Sequence, residues 1–376
     1  MDGIHNNNEQ DNKLGISMSD GSDVFAPKPG SEVYLDSLTN SGEDVKDLNK
    51  IKAKSMTAAD KKVISILAAL NAIVVVVIGI YLGLNGGGDE YESIKENMNF
   101  DAEKDYFNVS RVFDGELSMY LNGVEFPDSI QNYFKPLYSA NTDTVGWIKI
   151  PETSIDFPVL KAEDNAFYER KNFYGGYDRR GSIFMDYRNT VGKGRDSLSK
   201  NTIVYGHHLT QDECVFADVE KYLDPDYYAL HPVITMNTLY DDYEWKVFAC
   251  YITNADEKDD NGYVFYYWYP FFSDGNTMNF VNETLSRSWF INPSIDFKPT
   301  DKFLTLSTCT YIMNEGGRYV DARCVLVARL VRAGESDEVD VSQVYENTNK
   351  RLPQVWFDVF GGTNNYAGGP FWDAFA

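Results

Sequence analysis

The sequence predicts a mainly β fold, a barrel or a sandwich with peripheral helices, behind a single N-terminal transmembrane helix. Two observations predict it. From Val145 to Val331, short β-branched and aromatic runs recur with Gly, Pro, Asn and Asp turns between them. Upstream, Val63–Leu84 is apolar except at Ser65 and Asn71, and at about 1.5 Å per residue it spans a hydrocarbon core of roughly 30 Å.

Met1–Lys50 is rich in Asn, Asp, Ser and Gly with no sustained apolar period, which predicts a disordered segment over residues 1–62. Lys50, Lys52, Lys54, Lys61 and Lys62 precede the apolar run, and Asp89, Glu90 and Glu92 follow it. That asymmetry places the N-terminus in the cytoplasm and the bulk of the chain outside the cell membrane. A cleaved signal peptide would have a short charged region before its apolar core, whereas 62 residues come first here, so a retained anchor over 63–84 is expected. Asn85-Gly86-Gly87-Gly88 makes a flexible exit, and residues 85–125 read as a linker with a helical lead-in at Tyr91–Asn99.

The body of the chain then takes its elements in order. Ser129–Leu137 reads as a short amphipathic helix, and Val145–Leu160 as two strands around a Pro-Glu-Thr-Ser turn. Gly181–Tyr187 and Thr202–Tyr205 read as strands, Phe216–Tyr222 and Pro225–Leu230 as helical turns, and Val233–Leu239 and Tyr243–Thr253 as alternating strands. After Ser273-Asp274-Gly275, the residues Met278, Val281, Leu285 and Trp289 recur at helical spacing. Phe303–Cys309 and Tyr319–Val331 close the series as two strands separated by the break at Gly316-Gly317. Ala333–Ala376 follows as an extension too aromatic for a linker.

Charge excludes one class of function. Residues 85–376 carry 26 basic against 46 acidic side chains, and such a surface lacks the basic footprint of a nucleic-acid binder. The acidic run Asn254–Gly262 lacks the ligand spacing of a calcium loop, and neither a metal nor a cofactor is expected. Cys214, Cys250, Cys309 and Cys324 are widely spaced with no C-x-x-C, and are read as unpaired.

The chemistry converges on D-K-F-L-T-L-S-T-C-T, Asp301–Thr310. In a strand, Thr305, Ser307 and Cys309 share one face, and Leu304, Leu306 and Thr308 the other. Cys309 ends that strand among hydroxyl residues, and Arg323 opens the next; if the strands pair, thiol and guanidinium sit close together. A thiol nucleophile needs an acid or base in reach. His5 lies in the polar N-terminal segment and His231 beside Pro232, which leaves His207 and His208 of N-T-I-V-Y-G-H-H-L. Adjacent residues of an extended segment point to opposite sides, so only one of the two can face Cys309.

T-L-S-T-C followed by an Arg-led apolar strand, with Y-G-H far upstream, resembles a sortase. R-G-S-I-F-M-D-Y-R-N (Arg180–Asn189) and the long insertion between His and Cys resemble class B of that family. The resemblance covers roughly residues 126–332 and implies a closed sortase-type β-barrel with a helix in the insertion. It implies a cysteine transpeptidase that cleaves a C-terminal sorting signal after Thr and joins the protein to an amine of a peptidoglycan precursor. Carried over by motif, Cys309 is the nucleophile, His207 the acid and base, and Arg323 the electrophilic support, with Tyr205 and Ser307 lining the substrate groove. His208 is then expected at the surface or in a loop. Arg318 and Arg329 compete with Arg323 by position, but R-C-V-L-V-A-R-L matches at Arg323. The chain departs from class B in having Thr310, Tyr311 and Ile312 after the Cys, where relatives often carry an acid. A cell-wall cysteine peptidase or hydrolase would have its Cys at a helix start ahead of its His. A non-catalytic envelope-binding protein on the same scaffold would not need all three residue types.

Overall fold

The computed structural model describes residues 123–209, 215–315 and 319–366. The expected cytoplasmic segment and transmembrane helix, nearly all of the linker, Cys214 and Arg318 lie outside the described residues. Among the described residues no helix is long and apolar enough to cross a membrane.

Eight strands close a barrel: β1 (Thr144–Lys149), β2 (Asp156–Leu160), β3 (Phe184–Met185), β4 (Asn201–Tyr205), β5 (Val233–Thr238), β6 (Glu244–Asn254), β8 (Phe303–Thr310) and β9 (Ala322–Leu330). Their order around the wall is β1-β2-β3-β4-β8-β9-β6-β5. β7 (Phe290–Ile291) and β10 (Tyr345–Glu346) form a separate two-stranded ribbon. The helices are peripheral: α1 (Lys135–Ala140), α2 (Ala217–Lys221), α3 (Pro225–Leu230), α4 (Thr277–Arg287) and α5 (Gln354–Phe360).

Strand parity sorts the side chains. Val204 of β4, Leu304 and Leu306 of β8, and Cys324, Leu326 and Ala328 of β9 join Ile148, Val159, Trp245 and Val247 in the largest buried cluster, which fills the barrel. Alternate residues face outward under other elements. Ile203 and Tyr205 pack with Trp147, Phe184 and the α1 residue Leu137. Phe303, Val325 and Val327 are covered by an aromatic layer from the insertion, including Phe265, Tyr267 and Phe280.

Three expected elements differ from those observed. Gly181–Tyr187 pairs only at Phe184 and Met185: Phe184 sits between Leu160 of β2, in parallel, and Tyr205 of β4, antiparallel, and Met185 pairs with Val204. The Ser129–Leu137 helix begins later, at Lys135, with Pro136 in its first turn and Ser129 at a φ of 67°. The stripe expected after Ser273 holds at Val281, Leu285 and Trp289, which pack in the aromatic layer, and fails at Met278. Phe280, Val281, Thr284 and Arg287 are buried while Met278 is exposed, since the Phe280 ring sits 5.1 Å from that of Phe303.

Candidate active site

Three strand ends meet at one pole of the barrel. β8 and β9 pair antiparallel with Cys309 directly opposite Arg323. β4 and β8 pair parallel through Tyr205 opposite Ser307. Gly206 continues that ladder, donating its N–H to the Ser307 carbonyl at 3.3 Å. In that register His207 and Cys309 lie two residues beyond the Tyr205–Ser307 pair on the same outer face. Gly206 is required by close approach, because a Cβ there would stand 2.7 Å from the Phe216 ring.

Cys309 is a free, half-buried thiol. Burial raises its pKa above the ordinary thiol value, and the nearby Arg323 charge opposes that rise. Arg323 is buried, pairs with Asp321, and donates to the Ala322 carbonyl at 3.1 Å. Burial disfavours its charge, but Cys309 and Asp321 outweigh burial and hold the guanidinium above its usual range.

His207 is 5% exposed, and its Nε2 donates to the Glu169 carbonyl at 2.7 Å. That bond sets the neutral tautomer with the acceptor lone pair on Nδ1. Burial pushes the imidazole down to about 4, with Arg170 and Arg323 pushing the same way against the Glu169 bond. Burial thus favours the uncharged form of both side chains, the Cys309 thiol and the His207 imidazole.

His208 lies in the loop that follows β4, as expected, and is half-buried as a wall of the site. Its Nδ1 donates to the Cys309 carbonyl at 3.1 Å and stands 3.6 Å from the Glu220 carboxylate on α2. Thr310, in the place where an acid was looked for, donates from Oγ1 to Glu220 at 2.6 Å. The carboxylate that meets Thr310 and His208 thus comes from α2, not from the residues that follow Cys309. The Tyr311 hydroxyl closes this cluster on the His208 carbonyl at 3.1 Å.

Tyr205 and Ser307 are buried and already engaged. The Tyr205 hydroxyl donates to Asp186 at 3.0 Å, and Asp186 also takes the Arg188 guanidinium at 2.7 Å. The Ser307 hydroxyl lies 2.7 Å from that of Tyr267, whose pKa burial pushes up to about 12. Both residues brace the strand face behind the thiol. Arg329 is also buried, but it lies toward the far end of β9, where Glu335 takes its guanidinium at 2.6 and 2.8 Å.

Sequence reasoning passed over Glu169, Arg170, Glu220 and Tyr267. Glu169 and Arg170 belong to A-F-Y-E-R-K-N-F, which has no strand or helix period, and Tyr267 lies in the aromatic run V-F-Y-Y-W-Y. Only the barrel brings them to the strand ends. Cys250 and Cys324 are buried free thiols with sulfurs 3.7 Å apart inside the barrel, as the parity of Cys324 against Arg323 required.

A sortase-domain family model matches residues 148–331. Sortase B of Listeria monocytogenes is 30% identical over 262 residues, covering 69% of this chain and 96% of the relative. Sortase B of Staphylococcus aureus is 34% identical over 205 residues, covering 54% of this chain and 77% of that one. A solved Staphylococcus aureus sortase B–substrate complex aligns at 28% identity with a TM-score of 0.49, over 66% of this chain and 98% of that chain. With its thiol and guanidinium on paired strands and its histidine level with them, the chain belongs to the sortase family, in class B.

Proposed function

We propose that the chain is a membrane-anchored, extracellular cysteine transpeptidase that cleaves a C-terminal sorting signal after Thr and passes the new carboxyl end to a cell-wall amine. The observation that carries the reading is the direct pairing of Cys309 with Arg323, with His207 at the same level one strand away.

The neutral resting state sets the order of proton movements. As the Cys309 sulfur attacks the Thr carbonyl carbon, its proton passes to His207, and the carbonyl oxygen gains a negative charge. The Arg323 guanidinium, fixed by Asp321, supplies donors to that oxygen. His207 then gives its proton to the departing amine, which leaves a thioester on Cys309. An incoming primary amine attacks the thioester, returns a proton through His207 and releases the thiol. Tyr205 and Ser307 support the floor of the peptide groove through Asp186 and Tyr267. The Val63–Leu84 anchor and the Gly-rich exit keep the site near the membrane, where both substrates are delivered.

The test is a cleavage assay with a panel of reporter peptides bearing C-terminal sorting signals, with and without an added primary amine. Cleavage after Thr, and a ligated product when the amine is present, are expected. Failure of every peptide to yield a Cys309-dependent product would overturn the reading.

A further inference from the structure

We propose that residues 333–360 form a strap that positions the Cys309–Arg323 pair, with Val355 and Trp356 as its positioning residues. The inference rests on the reading of those two residues as the reacting pair. The family match ends at Val331, so the strap lies beyond the shared domain.

The path of the chain makes the argument. β9 starts at the site with Ala322 and Arg323, and its nine residues run to Leu330, about 26 Å away at roughly 3.3 Å per residue. The chain then returns to the pole it left. β10 pairs with β7 through Tyr345–Ile291 and Glu346–Phe290. The Asn347 N–H donates to the Trp289 carbonyl at 2.9 Å, and the Arg351 N–H donates to the Ser286 carbonyl at 2.7 Å. At the start of α5, the Gln354 N–H donates to Asp260 Oδ1 at 2.8 Å.

What α5 reaches is the connection between β8 and β9. Val355 is fully buried with Ile252, Met313, Val320 and Ala322, and Trp356, Val359, Trp289 and Ile312 pack around them. Met313 follows Cys309 by four residues, and Ala322 pairs with Thr310, the rung next to Cys309–Arg323. The Trp356 ring meets that of Trp289 at 5.8 Å. The two sides of the hairpin that presents thiol and guanidinium are therefore gripped by one apolar plug from outside the domain. The Val320 N–H donates to Asn314 Oδ1 at 2.7 Å between the two sides, and the α5 plug packs on both, so loosening the plug should loosen the rungs beside it.

The test is a double-mutant cycle on the full chain, read by the rate at which iodoacetamide alkylates Cys309 at neutral pH. This readout needs no substrate, so it stands even if no sorting peptide is cleaved. Arg323→Gln should slow alkylation several-fold in an otherwise unaltered chain, because the guanidinium favours the thiolate. In the Val355→Ala or Trp356→Ala background the same change should alter the rate less than twofold. Amide exchange over residues 311–322 should rise at least tenfold in either background, while exchange in β4 stays unchanged. Tyr345→Ala, on the exposed ribbon, serves as the control for general loosening and should leave the Arg323 effect intact. An equal Arg323 effect in every background, or no Arg323 effect in the unaltered chain, would overturn the proposal. So would exchange over 311–322 that Val355→Ala leaves unchanged.

Discussion

Cys309 and Arg323 are direct partners across β8 and β9, while their neighbours Thr308 and Cys324, also partners, point into the barrel. One rung is thus chemical and the next structural. A register slip of a single residue would swap them, which ties the proposed reacting pair to the packing of the core.

The first expectation follows from that rung. Cys309→Ala should abolish peptide cleavage and leave the thermal midpoint nearly unchanged, since the thiol is half-buried at a strand end. Cys250→Ala or Cys324→Ala should keep turnover within a few-fold while lowering the midpoint, because both sulfurs sit in the core. Loss of activity in one of these and not in Cys309→Ala would misplace the nucleophile.

The histidines should separate sharply. His207→Ala should lose about 10²–10⁴-fold in kcat/KM, the usual cost of a positioned acid and base. His208→Ala, which removes a donor to the Cys309 carbonyl, should lose no more than about tenfold. Steady-state kinetics on the same reporter peptide decide it, and the reverse order would put the register off by one.

The protonation states give a pH signature. His207 is held down to about 4 by burial and by Arg170 and Arg323, so it stays the neutral base as pH falls well below 6.5. The acid limb of kcat/KM should therefore lie near pH 4 and the profile should be flat from about pH 6 to 8. A limb centred at the ordinary histidine value would contradict the neutral resting couple.

Away from the site, Glu244 offers a stability test with a defined sign. Burial lifts its carboxyl to about 7, and Thr235 donates to it at 2.9 and 3.0 Å. The folded chain holds this proton more tightly than the unfolded one, so its contribution is full below about pH 4.5 and is lost as pH rises through 7. Glu244→Gln should melt above the unaltered chain at pH 8 and level with it at pH 4.5. Equal midpoints at pH 8 would show that the carboxylate is solvated.

Topology is open to the same kind of check. Protease added to intact cells should remove the domain downstream of Leu84 and spare Met1–Lys62. Cleavage of the N-terminal segment with protection of the domain would reverse the orientation inferred from the lysines.

Much of this was legible in the sequence because strands announce their faces. The period of two in Phe303–Thr310 and Ala322–Leu330 sorted Leu306 and Cys324 from Cys309 and Arg323 before any pairing was known. The helix after Ser273 was legible too, with Val281 and Leu285 on its packed side, but not the burial of Phe280 in place of Met278. That burial depended on Phe280 finding the Phe303 ring, a contact between distant residues. The rest of the site was illegible for the same reason. Glu220 reaches Thr310 from a five-residue helix, and Glu169 reaches His207 from a turn of 3₁₀ helix. The helical turn at Phe216–Tyr222 was legible, but nothing in either segment told which distant strand end it would meet.

The parallel pairing of β4 with β8 also sets when the enzyme can first act. Tyr205 and Ser307 are 102 residues apart, and closing a loop of that length costs about 4 kcal/mol of chain entropy by its logarithmic dependence on length. Synthesis from the N-terminus delivers the histidine first and the thiol last, so the two halves of the site coexist only once the barrel wall has shut. A chain caught before that moment holds Cys309 opposite Arg323 but away from His207. Catalytic competence is thus a late reward of folding, and it reports closure of the barrel in a single event.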